Sequence, residues 1–207
     1  STHTLTLFPY TTLFRSGGSK SPEYRGNLMR ITVSGLPGSG TTSLATHLAE
    51  VLQIDLISAG EVFRRMAAER GMGIAEFGRH AEKDPSLDHM IDERQKEIAL
   101  SHEDIIVEGR LSAWFVPEAD LKVWLFAPVE CRVMRIQSRD TIAHLDRAAE
   151  LTQEREASEA LRYRTYYGID IADLSPYHLV LNSSLLSVEE LGEIVCCTSR
   201  LIAARAS

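Results

Sequence analysis

From Met29 onward, short runs of β-branched and aliphatic residues alternate with longer stretches in which apolar residues recur at helical spacing. That order predicts an α/β domain. The runs fall at 30–34 (RITVS), 54–58 (IDLIS), 105–108 (IIVE), 121–126 (LKVWLF) and 178–181 (HLVL). They lack strict polar alternation, the mark of parallel strands buried on both faces. Parallel neighbours need crossover connections, so the intervening helical stretches are predicted to cover both faces of one five-stranded, doubly wound sheet.

The first run leads into Gly35-Leu36-Pro37-Gly38-Ser39-Gly40-Thr41-Thr42, and Ser43 then continues a helical stretch to Leu52. Small residues in such a turn let successive backbone N–H groups converge on an anion, and the helix N-terminus adds its partial positive charge. Gly35 through Ser43 are therefore the candidate phosphate-binding residues. Thr42 stands where the pattern GxxxxGK[ST] places its magnesium-binding hydroxyl. Position 41 departs from that pattern: Thr41 replaces the lysine that puts a charge on the β- and γ-phosphates. A dinucleotide fingerprint fits less well, because its third glycine falls on Ser43. A tight turn without a ligand is the plainer alternative.

Charge sharpens this picture. The chain carries 22 Lys and Arg against 29 Asp and Glu, a net charge of −7, which disfavours a generic nucleic-acid binder and favours small-molecule chemistry. Four of the 22 basic residues are lysines and the rest are arginines, whose planar fork suits phosphates and carboxylates. Cys131, Cys196 and Cys197 form no CxxC pair, so neither a disulfide framework nor a zinc site is signalled and a reducing cytoplasm is expected. No apolar run approaches the ~18 residues of a membrane span. The histidines show neither HxxxH nor triad spacing, so metalloenzyme and hydrolase readings gain little. Residues 6–16 (TLFPYTTLFRS) resemble the translation of a sequencing adapter, and residues 17–27 have linker composition. Residues 1–28 are expected to be extraneous to a domain spanning 29–207.

Several motifs in sequence order together resemble the archaeal-type cytidylate kinases, a branch of the P-loop nucleoside monophosphate kinases. They are GLPGSGTT (35–42), ISAGEVFRRMA (57–67), RGMGIAEFGRHAEKDP (70–85), DERQKEIA (92–99), VEGRLSAW (107–114) and YRTYYGIDIADLS (163–175). The resemblance covers nearly all of 29–193, and that family also carries Thr where most P-loops carry Lys. It implies a P-loop fold with strand order 2-3-1-4-5, a helical monophosphate-binding insertion between Gly71 and His102, and a lid among the seven arginines between Cys131 and Tyr167. It further implies transfer of the γ-phosphoryl group of ATP, with Mg2+, to CMP or dCMP. Small nucleotides are the expected partners of a cytoplasmic monomer that binds neither nucleic acid nor membrane. The alternatives are an adenylate-type or broad-specificity kinase and, in another class, a nucleotide-binding module silent for want of the lysine.

The same resemblance assigns roles. Arg155 and Arg162 match lid positions that reach the phosphates. Helical spacing puts Glu159 on their face, where it could orient a guanidinium or accept from the cytosine amine. Arg110, at the end of the third strand run, joins them as catalytic. Ser58, Arg64, Arg110 and Glu159 are the expected substrate-binding residues, with Thr42 and Glu108 toward magnesium, Glu108 through water. Arg132, Arg147 and Arg164 read as solvated helix residues, and so does Asp88 in the stripe Asp84, Asp88, Asp92. Changing Arg155 or Arg162 to Ala is expected to lower kcat with little loss of stability.

Overall fold

The computed structural model describes residues 29–206, and the expectation for residues 1–28 lies outside the described residues. The strands are β1 (Arg30–Gly35), β2 (Asp55–Ser58), β3 (Ile105–Glu108), β4 (Leu121–Phe126) and β5 (Leu179–Asn182). They form one parallel sheet in the order β2-β3-β1-β4-β5, as the motifs imply. The helices are α1 (Thr41–Leu52), α2 (Ala59–Glu69), α3 (Ile74–Ala81), α4 (Pro85–Ser101), α5 (Ser112–Phe115), α6 (Val129–Arg139), α7 (Leu145–Tyr167) and α8 (Val188–Ala206). No helix among the described residues is long and apolar enough to cross a membrane.

Successive strand residues point to opposite faces, and here both faces are covered. Ile31, Val33, Ile106 and Val123 pack with Leu44 and Leu48 of α1 and with Leu191 and Val195 of α8. Ile57, Ile105 and Val107 pack the other way, against Ile98 of α4 and Val116. This two-sided burial, worth about 1.5–3 kcal/mol per large aliphatic side chain, is why the runs are apolar throughout. The insertion α2–α4 has its own small core of Met66, Phe77 and Ile91. Asp84 caps α4 by accepting from the Ser86 N–H at 3.1 Å, with Pro85 in the first turn.

Register then sets the site. Val33 of β1 and Ser58 of β2 both lie level with Glu108 of β3, so three loops leave the sheet together at its carboxyl edge. Ligands of open α/β sheets collect at that edge.

Candidate active site

The glycine-rich turn runs from β1 into α1. Gly38 and Gly40 adopt φ of +80° and +92°, left-handed conformations that side chains strongly disfavour. A Cβ at Gly38 would also lie 2.6 Å from the Arg132 carbonyl, so α6 packs directly on the loop. No side chain caps α1, which leaves its first-turn N–H groups open to an anion. The Ser39 hydroxyl is buried in the loop without a partner among the described residues. Gly38, Ser39, Gly40, Thr41, Thr42 and Ser43 line a cleft of 460 Å3. Gly35, Leu36 and Pro37 stand behind it; the Pro37 carbonyl accepts from Arg132 Nη1 at 3.2 Å.

Four arginines face this cleft, Arg64, Arg110, Arg135 and Arg139, against a single carboxylate, Glu108. Arg139 spends its fork on neighbouring Asp140 at 2.6 and 2.8 Å. Arg64 has no ion-pair partner among the described residues, and burial lowers the pKa of its guanidinium. Glu108 offsets part of that desolvation without a direct ion pair, and a guanidinium with its donors free beside open N–H groups suits an anion. Leu186, Val188 and Leu191 supply an apolar wall on one side.

Glu108 is 2% exposed, and both its oxygens are taken. Thr41 Oγ1 donates to Oε1 at 2.6 Å, and the Ser58 hydroxyl donates to Oε2. Ser58 also caps α2, accepting from the Glu61 N–H at 3.1 Å. Thr41 is thus a neutral donor to a buried carboxylate at the position where a lysine is expected. Ser58 lies beneath the cleft rather than lining it.

A second, smaller pocket adjoins the cleft, with Gly60 and Arg110 lining both. Here the structure brings Arg110, Arg155, Glu159 and Arg162 together. Glu159 accepts from Arg110 Nε and Arg155 Nε, each at 2.8 Å. Burial pushes its carboxyl up, yet the two guanidiniums overcome that and hold it at about 2. Of the two uses expected for Glu159, orienting guanidiniums is the one its geometry displays. Arg155 and Arg162 line this pocket and not the P-loop cleft.

Two expectations are corrected. Asp88 is not a solvated acid: it is 5% exposed and accepts from Arg162 Nε at 2.7 Å. Arg162 also donates to the Gly78 carbonyl and to Ser158, so it holds α7 against the insertion. Losing it therefore leaves a buried carboxylate unpaired, against the expectation of an intact fold. Arg132 is not a surface residue either. It is 5% exposed, donates to the carbonyls of Ala127 and Pro37 and pairs with Glu156, bracing the loop from behind. Arg147 and Arg164 are exposed, in pairs with Glu150 and Asp170.

Sequence reasoning missed the part played by Arg135. It donates to the Gly38 carbonyl at 3.3 Å, to the Ser183 hydroxyl at 3.0 Å and to the Ser183 carbonyl at 2.7 Å. Ser183 in turn donates to the Ser39 carbonyl at 2.6 Å, closing a ring from loop to α6 to the end of β5. The available signal was the spacing of Arg132, Arg135 and Arg139 along one face of α6.

The sequence matches the cytidylate kinase-like family over residues 30–185. It is 64% identical over 167 residues to a cytidylate kinase of Methanospirillum hungatei JF-1, covering 81% of this chain and 94% of that protein. It is 62% identical over 167 residues to a cytidylate kinase of Methanoregula boonei, covering 81% and 92%. In fold alone it is similar to a gluconokinase from Sinorhizobium meliloti 1021 (TM-score 0.60, 14% identity, 88% of this chain and 97% of that one). It is also similar to a shikimate kinase from Bacteroides thetaiotaomicron (TM-score 0.51, 16% identity, 84% and 95%).

Proposed function

Because the chain belongs to the cytidylate kinase-like family, we propose that this nucleotide kinase transfers the γ-phosphoryl group of ATP to CMP or dCMP, giving ADP and CDP or dCDP. The observation that carries the reading is Arg64, which lines the same cleft as the P-loop and makes no direct ion pair among the described residues. That pairing supports two anions held toward one another, one on the loop N–H groups and one on Arg64.

Phosphoryl transfer asks little covalent chemistry of the protein; alignment and cationic stabilisation do most of the work. Gly38 through Ser43 cradle the donor phosphates, with Gly35, Leu36 and Pro37 behind them, and Leu186, Val188 and Leu191 offer an apolar face for the donor's base. Arg64 holds the acceptor phosphate above Gly60. Arg110, fixed by Glu159 and lining both cavities, is placed to neutralise charge on the moving group, with Arg155 beside it. Arg162 keeps the insertion against α7. Ser58 holds Glu108 in place.

Magnesium bound to nucleotide keeps several waters and takes few protein ligands. The residues fit that habit: Thr42 presents a half-buried hydroxyl in the cleft, and Glu108, its oxygens already shared with Thr41 and Ser58, suits contact through water. When bound, the ion neutralises charge on the β- and γ-phosphate oxygens.

An ADP-release assay across CMP, dCMP, UMP, AMP and GMP tests the reading. CMP and dCMP are expected to turn over well above AMP and GMP. Equal rates with AMP would overturn the pyrimidine assignment, and no turnover with any acceptor would leave a silent nucleotide-binding module.

A further inference from the structure

Three carboxylates line the small pocket beside the cleft: Asp88, Asp92 and Glu159. Two are saturated by arginine, Asp88 by Arg162 and Glu159 by Arg110 and Arg155. Asp92 has no guanidinium within ion-pair distance among the described residues. Its Oδ2 accepts from the Tyr167 hydroxyl at 2.7 Å. Tyr167 is itself held edge-on between Phe115 and His89, each ring 5.0 Å away, so its hydroxyl is a fixed donor. The rest of the pocket includes Phe63, Ile91 and Leu111, an aromatic and aliphatic lining suited to a flat ring.

We propose that Asp92, positioned by Tyr167, is the specificity-determining residue of the acceptor pocket, accepting a hydrogen bond from a pyrimidine 4-amino group and rejecting a 4-oxo group. This rests on the kinase reading above. With the acceptor phosphate on Arg64 and Arg110 at the cleft side, the base extends past Gly60 toward Asp92. A carboxylate pairs well with the amine of cytosine. Against the 4-oxo group of uracil it presents lone pair to lone pair. The pocket's free volume of 40 Å3 is smaller than a pyrimidine ring, so the base enters as the pocket widens.

The charge on this carboxyl responds to pH. Burial pushes it up to about 7; Asp88 and Glu93 on its own helix add to the rise, while the Tyr167 hydrogen bond and Arg162, both from α7, oppose it. Phe63 of α2 contributes no charge. Protonated, Asp92 can donate to a 4-oxo group, and discrimination weakens.

The test is kcat/KM for CMP and UMP from pH 6 to 9 on the full chain, for wild type, Asp92→Asn and Tyr167→Phe. The wild-type CMP/UMP ratio is expected to climb as pH rises through about 7. Asp92→Asn, whose amide donates to a 4-oxo group, is expected to lower that ratio about 10- to 100-fold and flatten its pH dependence, with KM for ATP unchanged. Tyr167→Phe removes a hydrogen bond that favours the carboxylate, so the midpoint moves to higher pH. A wild-type ratio and pH profile in Asp92→Asn refutes the proposal. If that variant fails to fold, an unmoved midpoint in Tyr167→Phe refutes it instead. A wild type that phosphorylates neither acceptor sinks the kinase reading and this inference with it, whereas a CMP preference indifferent to residue 92 sinks this inference alone.

Discussion

Changing Glu159 to Gln removes one charge and almost no volume. Glu159 is 4% exposed and receives Arg110 and Arg155 at 2.8 Å each. Burial alone would raise its carboxyl, yet the two guanidiniums bring it from the ordinary 4.5 to about 2. At about 1.36 kcal/mol per pKa unit, that is roughly 3 kcal/mol in favour of the ionised, paired state. The contribution is complete above pH 4.5 and fades as pH falls toward 2. The amide offers one acceptor oxygen where the carboxylate offered two, so one guanidinium is left unpaired beside another in a buried site. Removing one partner of a buried ion pair costs about 3–5 kcal/mol. For a domain of this size each kcal/mol shifts the melting temperature by about 2–4 °C, so a loss of about 6–20 °C is expected near neutral pH. Arg110 lines both cavities, so its displacement should also lower kcat about 10²–10³-fold. Calorimetric melting from pH 2 to 7 and initial rates with CMP measure both effects. A variant that melts and turns over like wild type would show that the arginines are held without Glu159.

Arg155→Ala is expected to lower kcat about 10²–10⁴-fold while keeping most of the melting temperature, whereas Arg162→Ala also loses about 3–5 kcal/mol of stability by stranding Asp88. Identical melting temperatures for the two variants would contradict the buried Arg162–Asp88 tie. Thr41→Lys is expected to leave kcat no higher than wild type, because an ammonium at this buried position pairs with Glu108 and draws it from Ser58. A gain of orders of magnitude in steady-state rate would mean that no arginine supplies the missing charge. Deleting residues 1–28 should leave melting temperature and turnover unchanged, and a clearly destabilised deletion would show that they pack on the domain.

The sheet was legible because strands buried on both faces announce themselves as aliphatic runs. The runs at 30–34, 105–108 and 121–126 meet Arg30–Gly35, Ile105–Glu108 and Leu121–Phe126 within a residue. The loop was legible because Gly38 and Gly40 occupy backbone conformations few other residues tolerate. What hid was the charged interior. Asp88 and Arg132 read as solvent-facing because periodicity treats a charge as exposed, and their partners Arg162 and Glu156 lie far along the chain. The face of α7 was legible in part: spacing put Arg155, Glu159 and Arg162 together, but a buried face that includes Ser158, Glu159 and Arg162 carries no apolar stripe to show that it packs inward. The Tyr167–Asp92 contact joins two helices 75 residues apart, and no local pattern reports it.

The proposed reaction is transfer to a cytidine monophosphate held opposite the P-loop. Incubating the protein with γ-labelled ATP, magnesium and equimolar CMP and AMP, then separating the products, tests it most directly. Label is expected in CDP, with little in ADP or inorganic phosphate. Label appearing in ADP as fast as in CDP, or released only as phosphate, would contradict it.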